Sequence, residues 1–508
     1  MSVPNLELLA SYPSRPRIFV LTDITNEPDD QESLVRYLLY FNEFDTQGLC
    51  ATTSAWLPSQ VAPHVIRKVL KAYGLVVGNL NKHVHPRYPY PSEEDLSQLV
   101  TQGLPVYGKE ALVQPRSEGA QRLVQRLAES SLPLWVLIWG GSNVLAEALD
   151  MIRKTRPSAE AAQLRSRLRV YAISDQDDTG DWIRTSFPDV FYIVSIHGFG
   201  CFDLAAWQGI GLRGAPGYED AKIDKEWLAE NIQISPLGAA YPTMDWAMEG
   251  DTPTFLYLIQ NGLGSSERLD VGSWGGRYRA ITVGSSVYGD VVDKVVGNDG
   301  KSYVNQKAPV YLWRDHYQDE FAARMRWTLT PDFWAASHPP VPAINGMTGT
   351  DFIRVQAKEG DEFTFDASES YDPDHPADCS NLEFQWYQYA GPTTRHPSGG
   401  DFVPRCGIYP MSKSDAQEIV AFNDAGFEND VLGKQVRVTV PNAASMTHWV
   451  PRTGITQIEY HIVLQVSSKA TFPIRRYKRI VIEAPLPPPE CTGCHFCAAQ
   501  GKGAFEEE

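Results

Sequence analysis

The chain is expected to form an α/β domain with a mostly parallel sheet and flanking helices, followed by a β-sandwich. Three observations predict this. Between Arg17 and about Trp334, short apolar strand-like runs alternate with helix-like stretches, as a parallel sheet with crossover helices requires. The segment ASHPPVPAING then breaks the pattern with prolines and a glycine. Beyond it come short alternating strands separated by turn residues, with no helical periodicity. The expected division is an α/β domain over 1–335, a sandwich over 336–485 and a flexible tail over 486–508.

In the first part the clearest strands are RIFVLTD, GLCATTSA, LWVLIWG, RVYAISD and VFYIVSI. Between them, VAPHVIRKVLKAYG, EGAQRLVQRLAES and NVLAEALDMIRKT repeat apolar residues at intervals of three and four, the pattern of helices packing one face on a sheet. Ligands of open α/β sheets bind beyond the carboxyl ends of the strands. The residues there are acidic, small or aromatic. In the second part, FIRVQAKEGDEFTFDASESYDPD, LEFQWYQY, KQVRVTV, QIEYHIVLQVSS and YKRIVIEA read as sandwich strands. The stretch EFTFDASESYDPD with LEFQWYQY resembles polycystic-kidney-disease and cadherin-like immunoglobulin modules, which implies a buried Trp386, and the sandwich is expected to be structural rather than catalytic. The closing PLPPPECTGCHFCAAQGKGAFEEE has little to bury. Its Cys491, Cys494, His495 and Cys497 lack the second, separated ligand pair of a structural zinc site.

Composition narrows the function classes. The 508 residues are 43% hydrophobic, enough for more than one core, and carry a net charge of −17. Nucleic-acid backbones and anionic membranes call for a basic footprint, so neither is an expected partner. There is no apolar run of the roughly 20 residues that span a bilayer, and the opening lacks the plan of a secretion signal. Seven cysteines, an odd number and mostly dispersed, fit reduced thiols. A cytoplasmic protein is expected, with a homo-oligomer left open.

The most informative stretch is IFVLTDITNEPDDQESLVRYLLY, in which a strand ends at Asp23, a polar loop follows and an amphipathic helix begins near Gln31. Asp23, Glu27, Asp29 and Asp30 place four carboxylates within eight residues. Buried together they would repel, and a cation removes the conflict. Oxygen ligands on flexible carboxylates suit Ca²⁺ first and Mg²⁺ or Mn²⁺ next. The alternative is that Asp29 and Asp30 only favour a helix N-terminus and stay solvated.

This strand, turn and Asp-Asp pair resemble the entry motif of the nucleoside hydrolases, with two additional loop residues. GLCATTSAW, LIWGGSNVLAEAL and EGDTPTFLYLI resemble further segments of that family in the same order. YAISDQDDTGDWI, DVGSWGGRY and DEFAARMRWT resemble a branch of the superfamily commonly labelled cellulose-binding, which joins a nucleoside-hydrolase-like domain to an immunoglobulin-like one. The resemblance implies that Asp23, Asp30, Asp251 and the carbonyl of Trp139 hold a metal, and that Asp23 deprotonates water. It also implies that Asp29, Asn26 and Asn143 contact the sugar. The histidine that precedes the late aspartate in nucleoside hydrolases is Gly250 here.

Asp177 and Asp178 follow a strand, and GSWGGR offers Trp274 as an apolar platform beside the Arg277 fork. Carboxylates and an aromatic face suit a sugar pocket. A core Trp274 with Arg277 at its edge, and Asp177 and Asp178 in a solvated turn, are the other readings. The function expected is metal-dependent hydrolysis of an N- or O-glycosidic bond in a small sugar or glycoside ligand. The alternative is a non-catalytic carbohydrate-binding protein that keeps the pocket.

Overall fold

The computed structural model describes residues 4–12, 14–215, 218–245, 248–297, 299–393, 403–411, 430–442 and 457–485. The expected tail over 486–508, with Cys491, Cys494 and Cys497, lies outside the described residues.

The first sheet is built from β1 (Arg17–Thr22), β2 (Asp45–Ala51), β3 (Val100–Gln102), β4 (Leu134–Ile138), β5 (Leu168–Ala172), β6 (Phe191–Val194), β7 (Tyr278–Ala280) and β8 (Val287–Asp290). Its order is β3-β2-β1-β4-β5-β6-β8-β7, parallel throughout except for β7. Alternation along β1 shows why both faces need cover: Ile18 and Val20 enter one core, Phe19 and Leu21 the other. The helices Asp29–Leu38 and Pro63–Gly74 bury their apolar stripes in the first core, Glu118–Ala128 and Asn143–Thr155 in the second. The chain runs outward through β1, β2 and β3, then returns to place β4 on the other side of β1. The crevice above such a reversal is where this architecture binds ligands.

A hairpin of β9 (Asp293–Val296) and β10 (Ser302–Asn305) precedes the helix Arg314–Trp327. That helix is buried on almost every side, including Arg314, Asp319, Glu320 and Arg324. The sequence does not mark it as a helix. A helix enclosed all round, with its charges paired in the interior, carries no amphipathic periodicity to read.

The second part contains β11 (Ile353–Gln356), β12 (Glu362–Asp366), β13 (Leu382–Gln388), β14 (Gly407–Pro410), β15 (Val431–Leu432), β16 (Gln435–Thr439), β17 (Gln457–Ser468) and β18 (Arg475–Pro485). They form a five-stranded sheet, β11-β18-β17-β13-β15, facing a three-stranded sheet, β12-β16-β14. Trp386 is fully buried between them, stacked near Phe365 of the opposite sheet. The result is the expected β-sandwich. Its long strands β17 and β18 are buried on both faces. Ile462, Leu464, Ile480 and Ile482 fill the sandwich, whereas Val463 and Tyr477 join the core of the α/β part. The sandwich is therefore seated on the first sheet's helical layer. No helix among the described residues is long and apolar enough to cross a membrane. Cys50, Cys201, Cys379 and Cys406 form no disulfide.

Candidate functional site

A cleft opens at the carboxyl edge of the parallel sheet, beside the β1/β4 reversal. Its lining includes Asp23 after β1, Trp56 after β2, Trp139 after β4, Ser174 and Gln176 after β5, Phe202 and Trp207 after β6, and Asp251. Asn26, Glu27, Asp29 and Asp30 reach it from the loop and helix that follow β1. Thr25 holds a φ of 97° in that loop, a conformation disfavoured for a β-branched residue and maintained by its surroundings.

Carboxylate oxygens of Asp29, Asp30 and Asp251 all lie within 4.8 Å of one another. Asp23 sits against Asp30, close enough to share a proton with it. None of the described residues that line the cleft is a lysine or arginine. Two unit charges at this separation repel by about 3–4 kcal/mol at an effective dielectric constant of about 20. Three such pairs approach the whole stability of an ordinary domain. The cluster therefore holds either protons or a cation. In the protein alone burial pushes Asp23 up to about 6 and, with the charges of Glu27 and Asp23 adding, Asp29 up to about 7. Asp30 and Asp251 are driven well above the ordinary carboxylate range, by burial first and next by neighbouring charge, that of Asp23 for Asp30 and that of Asp30 for Asp251. Oδ2 of Asp23 and Oδ2 of Asp251 are buried and accept no hydrogen bond. Oxygens without donors, on converging acids, fit a hard divalent cation.

The surrounding chain is shaped for this cluster. At Gly140 a Cβ would lie 2.6 Å from Asp23 Oδ1, so the β4 loop approaches the acid only because it is glycine there. The turn before Asp251 is held by Glu249, at a φ of 50°. Its carboxylate is ion-paired to Arg36 at 2.5 Å and accepts from Tyr241 and Thr252, both at 2.8 Å. Its amide donates to Glu32 at 2.9 Å. Gly250 has a steric cause as well. A Cβ there would meet Asp29 Oδ2 at 2.9 Å and the Trp207 ring at 3.0 Å. A histidine could enter only by displacing both.

Asp23, Asn26, Asp29, Asp30, Trp139 and Asp251 thus line one cleft, and Asp29 belongs with the converging acids. The carbonyl of Trp139 already accepts from Gln176 Nε2. Five other expected site residues are not in that lining. Asn143 is fully buried, its amide donating to Thr53 Oγ1 at 2.9 Å. Asp177 is saturated by Asn143 N, Thr179 N and Thr179 Oγ1, which ties the β5 loop to a helix start. Asp178 pairs at the surface with Lys109. Trp274 is wholly buried, donating to Tyr477 of the sandwich at 3.1 Å, and Arg277 is buried against Asp293 at 2.6 Å. The sugar platform expected at Trp274 and Arg277 is corrected to a packing role, because their partners come from β18 and β9. The aromatic residues at the cleft besides Trp139 are instead Trp56, Phe202 and Trp207. They follow strands as the sheet rule directs, which was the one signal available for them.

The family model described as "Cellulose-binding Sde182, nucleoside hydrolase-like domain" matches residues 17–278, and that described as "Cellulose-binding protein Sde0182, C-terminal domain" matches 362–484. A solved structure of a nucleoside hydrolase-related protein from Saccharophagus degradans, associated with carbohydrate metabolism, is 25% identical with a TM-score of 0.70. That similarity covers 93% of this chain and 100% of that one. The inosine-uridine preferring nucleoside hydrolase from Bacillus anthracis is 14% identical over 62% of this chain and 99% of its own, with a TM-score of 0.31. No curated protein matches. The first of these matches spans just over half of the 508 residues, and the chain belongs to the Sde182 cellulose-binding, nucleoside hydrolase-like family.

Proposed function

We propose that the protein is a hydrolase of glycosidic bonds whose chemistry lies in the α/β part, residues 1–335, with the sandwich, 336–485, as its support. The observation that carries this reading is the group of converging carboxylates beside the sheet's reversal point, in which the buried Oδ2 of Asp23 and Oδ2 of Asp251 receive no donor. Asp23, Asp30 and Asp251, with Asp29 and the Trp139 carbonyl, are the groups that would hold a cation, Ca²⁺ before Mg²⁺ or Mn²⁺. When bound, such an ion supplies positive charge that acidifies water and draws in sugar hydroxyls.

The remaining work falls to the chain. Asp23 takes the proton of the attacking water. Asn26 and Asp29 accept from sugar hydroxyls, and Trp56 and Phe202, whose rings meet edge to face at 5.9 Å, flank the mouth. The ligand is a small sugar or glycoside. Because Gly250 stands in place of a histidine, aryl glycosides, whose leaving groups depart with little protonation, are the first candidates to set against inosine and uridine. A screen of both classes with added Ca²⁺ tests this. Asp23→Asn keeps shape but cannot take the proton, so turnover should vanish while the fold and most of the ligand affinity remain. Asp29→Asn should lose both affinity and rate, by about 1.5–3 kcal/mol. Full activity in Asp23→Asn would sink the mechanism. The family's cellulose-binding description supports a second reading, carbohydrate binding without turnover. Saturable sugar binding with no product would select it.

A further inference from the structure

Ser174, buried at the end of β5, lines the acidic cleft and lies between two side chains from the loop after β6. Its hydroxyl oxygen accepts from the Trp207 indole N–H at 3.0 Å and lies 3.2 Å from His197 Nε2. The other ring nitrogen of His197 lies 2.8 Å from the carbonyl of Gly198, which can only accept. That contact places the proton of a neutral ring on Nδ1 and leaves Nε2 to accept from Ser174. A second proton reverses the Nε2 contact. Nε2–H then donates to Ser174, whose oxygen already accepts from Trp207, and the hydroxyl hydrogen must turn to another acceptor. Phe202 stands at the edge of the His197 ring, and the acid that faces the ring is Asp290, pushed up to about 6 by burial and held by Ser195 and the Ala206 amide. Oδ1 of Asp290 is buried and receives no hydrogen bond.

We propose that His197 and Ser174 form a proton relay that delivers an acid to the leaving group, in place of the histidine absent at Gly250. This rests on the hydrolytic reading above. In the step, the bond from the anomeric carbon to the leaving oxygen or nitrogen breaks, and its electron pair stays with the leaving atom. That atom takes the Ser174 hydroxyl proton as Ser174 takes the Nε2 proton of His197. Water forms the new bond to carbon and gives one proton to Asp23. His197, half-exposed, is recharged from solvent. Ser174 is the group that touches substrate, and His197 acts through it as a positioning residue and proton source.

The relay is tested first without turnover, by following the Trp207 indole N–H and the His197 ring by NMR through a pH titration. The indole signal should move with the same midpoint as the ring, and the movement should disappear in His197→Gln. An indole signal that stays flat while His197 titrates, or still moves in the variant, overturns the relay. With an aryl glycoside that the wild type cleaves, His197→Gln should lose about 100-fold in kcat/KM on a methoxyphenyl leaving group. The loss on a dinitrophenyl group should be at least about tenfold smaller, because that group departs with little protonation. Equal losses on both, or a leaving-group-dependent loss that follows Glu27→Gln instead, overturn the assignment. A wild type that cleaves no glycoside or nucleoside ends the hydrolytic reading, and the NMR titration then decides the relay alone.

Discussion

In the acidic cleft Asp23, Asp30 and Asp251 are buried with no lysine or arginine among the described lining residues, whereas under the sandwich Glu320 is equally buried but receives Arg476 at 2.5 Å and Arg324 at 2.8 Å. Around Glu320 the pattern continues, with Arg475 on Asp319 at 2.8 Å and Arg324 reaching Glu43. Both regions carry buried acids that face charged neighbours. In one the neighbours are cations fixed by the fold, and the charges cancel when the chain folds. In the other the neighbours are more acids, and neutrality must come from outside. Buried charge alone is thus a poor marker of function, and its balance is a good one.

The largest expected effect breaks the balanced side. Glu320→Gln leaves Arg324 and Arg476 short of a counter-charge in the interior, so unfolding stability should fall by about 3–5 kcal/mol. Urea denaturation measures it, and a loss below about 1 kcal/mol would erase the contrast between the regions.

Next in size is the cation. If Ca²⁺ binds only the folded cleft, a hundredfold excess over Kd should add about 2.7 kcal/mol, and chelation should remove it. In chelator, Asp30→Asn relieves repulsion and should leave stability unchanged or higher, the opposite sign to Glu320→Gln. A calorimetric melt of wild type and variant, each with Ca²⁺ and with chelator, checks both signs.

The two regions should also differ in pH dependence. Asp23 and Asp29, raised to about 6 and about 7, bind protons more tightly folded than unfolded. In chelator their contribution is full below about pH 4, the unfolded value, and is lost as pH rises through 6 to 7. His83 and His461, on the sandwich side, are lowered by burial to about 4. They bind protons more tightly unfolded, so their contribution is full above about pH 6.5 and is lost as pH falls toward 4. Asp29→Asn in chelator should therefore gain on wild type as pH rises. Urea midpoints across this range that shift in parallel would contradict it.

The smallest effect is expected at Asp178, which is partly exposed and pairs with Lys109 at 3.3 Å. Asp178→Ala should cost under about 1 kcal/mol and leave turnover unchanged. A large loss of activity would return this residue to the site.

The parts legible in the sequence share a physical origin in short-range pattern. β1, β2, β4, β5 and β6 were visible because buried parallel strands are continuous apolar runs, and the three named helices because one face of each repeats at helical spacing. The acids from Asp23 to Asp30 were visible because they are contiguous, and Trp386 because it sits in an alternating strand. Trp274 and Arg277 were misjudged for the converse reason. An aromatic and an arginine beside glycines suit a platform or a packed turn equally well, and what separates the two is Tyr477, some 200 residues on.

Local periodicity thus determined the α/β and sandwich classes and the loop of carboxylates after β1, because hydrophobic burial acts on residues a turn or a pleat apart. The resemblance already placed Asp251 with that loop, but tertiary structure alone decided that the Arg36–Glu249 pair holds the turn before it, and that Trp207 takes the space beside Gly250. It also decided that His197 stands behind Ser174 at the cleft. Each of these depends on chain segments far apart in sequence that meet only when the sheet's reversal and its covering layers close over them.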